Sequence, residues 1–235
     1  MNRLTTTLKM DFKLQARYGF YYAAAFVTLV WIAILLALPA AFLPLAVPLI
    51  IFTDLGIVGM IFIAGQVVFE KTEGTIYAIN VTPVTFGEYL AGKLLSLTIL
   101  AWIISLVVVL AVYGTGAYLF FLTIGIILTS LIGLLVGLIA VAPYNSISRF
   151  IMPAQLYLLI MNLPLIDYFG WYESWLVYLI PTQGSLILLK GAFVPEDTWL
   201  LVYAVLYQAV WVGILVVWAR KRFEKYIVAQ KGGRA

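Results

Sequence analysis

Residues 69–93 read FEKTEGTIYAINVTPVTFGEYLAGK and form a polar interruption between the long apolar runs of the first half of the chain. The stretch predicts a short helix over about residues 71–80, a break at 81–82, and a second helix that continues into the membrane. The turn at residues 73–75, Glu-Gly-Thr, offers a charge, a flexible backbone and a hydroxyl group to a soluble partner. Residues 69–93 are therefore predicted to form a helical elbow at a membrane surface.

Helix-start signals locate the second helix of this elbow. Thr82 precedes Pro83, and proline is tolerated at the first helical position because the N–H that it lacks has no partner there. Thr85 and Glu88 have the spacing of a capping box, in which each side chain accepts a hydrogen bond from the other residue's backbone N–H. These signals predict that the second helix begins near residues 83–86.

The composition is that of an integral membrane protein. Apolar residues make up 65% of the 235, charged residues make up 10%, and the mean hydropathy is +1.10. The charges cluster between long apolar runs, which leaves no room for a separate soluble domain. The lack of Cys and His excludes disulfides, thiol nucleophiles, imidazole bases and the usual zinc ligands.

The apolar runs predict an all-α membrane protein in which residues 1–235 form a single transmembrane domain. Its six predicted spans lie at about residues 18–38, 49–68, 94–112, 118–142, 150–165 and 199–218. Residues 1–17 have the apolar spacing of an amphipathic helix in the membrane interface. A cleaved signal peptide is the alternative, which the long charged lead disfavours.

Two connections between the spans are rich in proline or aromatic residues. Pro39, Pro44 and Pro48 punctuate an apolar link before the second span. The aromatic residues of the outer segment, 166–198, are typical of a membrane interface. This segment is predicted to form outer-surface or partly re-entrant helices, with a joint crossing at 175–189 as the alternative.

The positions of the basic residues predict the orientation. With both termini in the cytoplasm, thirteen of the 14 Lys and Arg residues lie inside and only Lys190 lies outside. This positive-inside pattern predicts a plasma (inner) membrane protein whose 69–93 loop is cytoplasmic. A seventh span at 175–189 would move the basic C-terminal tail outside. That tail is an orientation signal or a binding site for anionic membrane lipids or a partner protein. The net charge of +4 therefore does not indicate nucleic acid.

Three residues inside the spans are candidates for function. Asp54 lies in an apolar run, where a carboxylate at mid-membrane costs about 2.5–3.5 kcal/mol on insertion scales. It is either an acid near the outer end of its span or a group that faces a translocation path. Gly133 and Gly137, four residues apart, allow close helix packing, within the chain or at a dimer interface.

Residues 87–93 spell G-x-x-x-x-G-K, most of a nucleotide phosphate-binding loop. Leu94 stands where such a loop needs Ser or Thr, and the segment falls inside the capped helix instead of before a free helix N-terminus. Nucleotide binding by this chain is therefore not predicted.

The 69–93 loop resembles the corresponding loop of the membrane subunits of ATP-binding-cassette (ABC) exporters, in the type-two export permease family of drug, antibiotic and polysaccharide exporters. The shared pattern is an acid, a Glu-Gly-Thr-like turn, a short apolar helix, Thr-Pro-Val, and a helix that ends in Leu-x-x-Lys. In this chain the pattern falls on Glu70 and on residues 73–75, 76–79, 82–84 and 90–93.

The resemblance implies that the loop is a coupling helix that sits in a groove of a separate cytoplasmic ATPase. The coupling residues that it implies are Glu70, Lys71, Glu73, Gly74, Thr75, Thr82, Pro83 and Val84. It also implies two membrane subunits, identical or different, and two ATPase subunits that bind ATP and Mg²⁺, so this chain needs no cofactor. Each membrane subunit would form half of a path for an apolar or amphipathic drug, antibiotic, peptide or lipid. An ordinary capped cytoplasmic loop is the alternative.

Two other classes of function are weighed against the exporter. A secondary transporter or channel driven by an ion gradient usually has several ionisable groups at mid-membrane or inverted repeats, whereas Asp54 is isolated here. A membrane-embedded enzyme needs a nucleophile with a base, paired acids or a metal site. The residues favour neither class.

Overall fold

The computed structural model describes residues 3–76, 85–172 and 174–228, and this part of the chain is almost entirely helical. The helices are α1 (Arg3–Arg17), α2 (Phe20–Leu36), α3 (Leu43–Thr72), α4 (Phe86–Val112), α5 (Leu119–Val141), α6 (Ile147–Asn162), α7 (Leu165–Tyr168), α8 (Pro181–Gly191) and α9 (Thr198–Phe223). Short 3₁₀ turns cover Ala40–Phe42 and Trp175–Leu179, and a π-helical turn, Glu224–Val228, extends α9. The predicted all-α class is confirmed for the described residues.

Within the described residues, four helical segments are long and apolar enough to cross a membrane. They are Ala40–Thr72, Phe86–Val112, Leu119–Val141 and Thr198–Tyr226. The segments Leu4–Arg17 and Phe20–Leu36 meet at a 67° bend and add a fifth span if they are counted together. Gly19, with a φ of 76°, lies at this bend. At 16 residues, α6 falls just below the usual length of a spanning helix, about 17–25 residues.

The expectation that Pro44 and Pro48 lie in a link before the second span is wrong, because both lie within α3. This helix starts at Leu43, about two turns before the predicted span at 49–68, and it contains Pro48. Pro44 lies in its first turn, where a backbone N–H is not required. Because Pro48 follows four residues later, the hydrogen bond that it removes is the one to the carbonyl of Pro44, at the very start of the helix.

The start of the predicted helix at 71–80 is also wrong. Lys71 and Thr72 are the last two residues of α3, and the chain then turns at Gly74, where φ is 73°. A glycine adopts this left-handed conformation without steric cost, so it ends the helix where another residue would be strained. The remainder of that prediction, with Thr82, Pro83 and Val84, lies outside the described residues.

The second predicted helix start is confirmed. Thr85 caps α4, its hydroxyl accepts a hydrogen bond from the Glu88 N–H, and the Glu88 carboxylate accepts one from the Thr85 N–H. Since no break follows the cap, α4 is continuous from Phe86 to Val112 and is longer than the predicted span at 94–112.

The helices form a bundle around α5, the most buried of the long apolar helices, with 72% of an 18-residue stretch inside the protein. One core cluster joins the C-terminal halves of α3, α5 and α9 to the N-terminal half of α4. A second cluster joins the N-terminal halves of α3 and α5 to α8 and the end of α4. We call the end of the bundle that holds the first cluster the loop end, because it carries the turn at residues 73–76. The end that holds the second cluster is the opposite end.

At the opposite end, α8 packs into the bundle and not on its surface. Most of its residues are buried, and its neighbours are α3, α5 and α9. A Cβ on Gly184 would lie 3.1 Å from the side chain of Gln208. Since Gln208 is about 15 Å along α9 from the start of that helix, α8 reaches well into the bundle.

Candidate functional site

The turn at residues 73–76 projects from the loop end and is anchored on both sides. The side chain of Glu73 is 31% exposed, and its Oε1 lies 3.4 Å from Nη2 of Arg17 in α1. Gly74 is exposed, and no atom of the described residues lies within 4 Å of where its Cβ would be. The Thr75 hydroxyl donates to the Glu70 carbonyl at 3.3 Å, and Ile76 is buried in the core. A partner could therefore reach Glu73 and Gly74 without disturbing the bundle.

Glu70, predicted to contact an ATPase, instead points inward. Glu70 is only 4% exposed. Its Oε1 is ion-paired with Nζ of Lys93, and its Oε2 accepts a hydrogen bond of 2.8 Å from the Tyr89 hydroxyl. Both partners are on α4, so Glu70 ties the end of α3 to the start of α4.

Lys93 is the centre of this arrangement, with 0% of its side chain exposed. Besides Glu70, it binds Asp11 of α1, with Nζ 3.2 Å from Oδ1. The Gln66 amide of α3 donates to the same oxygen at 2.8 Å. We call Asp11, Glu70 and Lys93 the buried ion cluster. Burial raises the pKa of the Asp11 carboxyl above its usual value, and the Lys93 ammonium opposes this shift.

Further contacts bring α1 close to α4 beside this cluster. The Gln15 amide of α1 donates to the Ser96 hydroxyl of α4 at 2.7 Å, and both residues are fully buried. A Cβ on Gly92 would lie 2.7 Å from Oδ2 of Asp11, so a larger residue at this position would displace the Asp11 carboxylate. The predicted interfacial helix is therefore fixed to α3 and α4 by buried polar contacts.

Lys71 also points inward. Its Nζ donates to the carbonyls of Ala142 at 2.6 Å and Tyr144 at 2.8 Å, beyond the end of α5. A cation at this position satisfies carbonyls that have no partner within the helix and complements the negative end of its dipole. Lys71 therefore holds the end of α3 against the end of α5.

The roles of Asp11, Gln66 and Lys93 were not predicted from the sequence. The available signals were Lys93 with apolar residues on both sides, Gln66 within an apolar run, and an acid at position 11 of a basic helix. Each is a polar group where burial is costly without a partner. Residues 87–93, which spell most of a nucleotide phosphate-binding loop, lie inside α4. The Lys93 ammonium is bound to carboxylates of this chain.

Asp54 lies in the first half of α3 and is partly buried. Its Oδ1 accepts a hydrogen bond of 3.0 Å from Nε1 of Trp31 in α2. It lines a cleft between α3, α4 and α5 whose other walls are mostly apolar and include Phe62, Ala101 and Ser130. The carboxylate is thus the charged group of a mostly apolar cleft.

Gly133 and Gly137 bring α5 against α3 of the same chain. A Cβ on Gly133 would lie 2.8 Å from the Leu55 carbonyl oxygen. A Cβ on Gly137 would lie 2.6 Å from Cγ2 of Ile63 and 3.0 Å from the backbone of Met60. The two glycines therefore pack helices within the subunit.

Comparison with known proteins adds a second line of evidence to this geometry. The fluoroquinolones export permease protein family matches residues 2–231. Two curated proteins from two strains of Mycobacterium tuberculosis, each named fluoroquinolones export permease protein, are 40% identical over 235 residues, which cover 99% of this chain and 99% of each relative. The chain therefore belongs to the fluoroquinolones export permease family, a family of the ABC exporter permease type.

Proposed function

We propose that this chain is the membrane subunit of an ATP-driven exporter and forms half of its translocation pathway. A separate cytoplasmic ATPase binds ATP and Mg²⁺, and a second permease subunit, identical or different, supplies the other half. The observation that carries the proposal is the exposed Glu73-Gly74 turn, which is joined through the buried ion cluster to three helices at once.

The cluster supplies a mechanical link from the ATPase to the pathway. A movement imposed on the turn acts on the end of α3 directly. It also acts on α1 and α4, because Lys93 binds Asp11 and Glu70 together in an interior where breaking an ion pair is costly. We infer that α1, α3 and α4 move as one body, and that Lys71 passes the movement on to α5. Coupling then uses Glu73, Gly74 and Thr75 as the contact, with Glu70 and Lys71 as the internal connection.

In the proposed topology six helices cross the plasma (inner) membrane with both termini in the cytoplasm. Beyond the four long apolar segments, α2 and α6 supply the two shorter crossings. The alternation of the helices supports this arrangement: α3, α5 and α9 finish at the loop end, and α4 begins there. The loop end is then cytoplasmic, which agrees with its share of the basic residues.

The proposed substrates are amphipathic drugs, and fluoroquinolone antibiotics are the first to test because the relatives are named for them. These compounds combine an apolar aromatic ring system with ionisable groups. The cleft beside Asp54 offers an apolar wall with one carboxylate, and we propose that it faces the translocation path.

Asp54→Asn is expected to lower the export of a drug that carries a protonated amine by about tenfold, because a charge-assisted hydrogen bond becomes a neutral one. The variant keeps the side-chain volume and an oxygen that can accept from the Trp31 N–H. Drug accumulation in cells measures export, and a neutral drug of similar size should leave the cells at nearly the wild-type rate. An equal loss for both drugs, or for neither, contradicts a role in charge recognition.

Glu73→Arg is expected to reduce export by about tenfold or more, since reversing a charge at a protein interface costs several kcal/mol. Membrane insertion and folding should be normal, because the pair with Arg17 is solvent-exposed and such pairs contribute about 0–1 kcal/mol. Export and the amount of folded subunit are measured in the same membranes.

A charge swap separates the two partners that Glu73 could have. The double variant Arg17→Glu, Glu73→Arg restores an ion pair within the chain but not the charge that an ATPase would meet. If coupling is the role of Glu73, the double variant stays inactive. Recovery of export in the double variant would show that Glu73 acts only through Arg17.

A further inference from the structure

A polar cavity lies at the opposite end of the bundle and shares no lining residue with the cleft beside Asp54. Its walls come from α7, α8, the 3₁₀ turn before α8 and the start of α9. Its volume is about 130 Å³. The polar and aromatic residues that line it are Asp167, Tyr168, Tyr178, Gln183, Lys190 and Glu196.

The amide of Gln183 is the group in this cavity that most clearly requires a ligand. The residue is 4% exposed, and its Nε2 donates to Oδ2 of Asp167 at 2.7 Å. Its Oε1 is buried and accepts no hydrogen bond from the described residues. A buried carbonyl oxygen without a donor is costly, so the cavity is built to receive an N–H or O–H group at this point.

The charges of the cavity select a cation over a neutral donor. Nζ of Lys190 is 2.7 Å from Oε1 of Glu196, so these two charges compensate each other. The Asp167 carboxylate is bound to a neutral amide, and no lysine or arginine of the described chain lies within 4.0 Å of it. One negative charge therefore stands beside the unpartnered Gln183 oxygen.

The aromatic walls suit an aromatic amine in particular. The ring of Tyr168 is fixed by a hydrogen bond of 2.8 Å from its hydroxyl to the Leu45 carbonyl, and Tyr178 lines the cavity as well. Ring faces attract cations and stack on other rings. We propose that this cavity binds the protonated amine of an aromatic compound, with Gln183 Oε1 and Asp167 as the acceptors. The inference rests on the proposed function in one respect: the compound would be one that the exporter releases at this end.

The test is calorimetric binding to the purified full chain in detergent, without any ATPase. The probe is phenylpiperazine, which is protonated at neutral pH, and its N-acetyl derivative keeps the ring but carries no charge. The wild type is expected to bind phenylpiperazine at least about tenfold more tightly than the neutral derivative. Binding of both compounds with equal strength, or of neither, overturns the proposal.

Variants locate the site. Asp167→Asn and Gln183→Leu are each expected to weaken phenylpiperazine binding by about ten- to a hundredfold. Asp197→Asn removes the same charge from an exposed residue that does not line the cavity, and it should bind as the wild type does. Unchanged binding in Asp167→Asn, or an equal loss in Asp197→Asn, overturns the assignment.

Two further readouts distinguish binding at this cavity from misfolding and from export. Lys190→Gln removes a cation that competes with the ligand, so this variant should bind phenylpiperazine more tightly. Misfolding cannot produce such a gain. The absence of a gain therefore counts against the proposal. Export measured in cells reports on the proposed function separately. Binding without export supports the proposed cavity site and contradicts the proposed exporter. Export without binding supports the exporter and contradicts the cavity site.

Discussion

Lys93→Met is expected to remove most of the folded protein. Methionine fills nearly the same volume but leaves the carboxylates of Asp11 and Glu70 buried without their cation. Removing one partner of a buried ion pair costs about 3–5 kcal/mol, a large part of the about 5–15 kcal/mol by which a typical protein is stable. The melting temperature in detergent and the monodisperse fraction in size-exclusion chromatography measure the loss.

Two variants show whether charge or shape causes this loss. Arg220→Met removes the same type of charge from an exposed ion pair with Glu224 and should cost no more than about 1 kcal/mol. The triple variant Lys93→Met, Asp11→Asn, Glu70→Gln removes all three charges of the buried ion cluster and should recover part of the stability. A triple variant no more stable than Lys93→Met would show that the carboxylates were not the cause.

Gly137→Leu is expected to prevent α3 and α5 from packing. Even the Cβ alone would lie 2.6 Å from Ile63 and 3.0 Å from the Met60 backbone, and helix backbone cannot move aside as a flexible side chain can. Overpacking a core costs about 1–3 kcal/mol and sometimes more, and leucine adds a whole isobutyl group at this contact. The yield of folded protein and its melting temperature should both fall sharply.

A pair of identical substitutions provides the control. Gly137→Ala should destabilise the protein, whereas Gly213→Ala should stabilise it slightly. In the described part of the chain nothing lies within 4 Å of a Cβ at Gly213, and alanine favours a helix by about 1 kcal/mol over glycine. Helix propensity contributes equally at both positions, so the difference between the two variants comes from packing. If both variants melt at the wild-type temperature, α3 and α5 are not in contact at Gly137.

Much of the fold was predictable because it depends on local signals. Apolar runs of span length gave the helical class, and the Thr85–Glu88 capping box gave the start of α4 to within a residue. The spacing of Gly133 and Gly137 indicated close packing, because small side chains four residues apart form a groove on one helix face. The partner of that groove, α3, could not be read from the spacing.

Other features depend on contacts between distant parts of the chain. Lys93 and Asp11 are 82 residues apart in sequence, and neither has a pattern that names the other. For the same reason Glu70 and Lys71 were predicted to face an ATPase, although α4 and the end of α5 provide their partners inside the protein. The sequence left two placements open for α8, an outer-surface helix or a partly re-entrant one, because its short apolar run suits both.

The central claim is that a separate ATPase drives this permease through the Glu73 turn. The most direct test is purification of the tagged chain from its native membrane in a mild detergent, with mass spectrometry of the proteins that accompany it. The account predicts a soluble protein with nucleotide-binding motifs, recovered with the wild type and with Glu224→Arg, a charge reversal elsewhere on the surface, but lost with Glu73→Arg. Recovery of the chain alone in several lipid compositions, or an ATPase that Glu73→Arg retains in full, would contradict it.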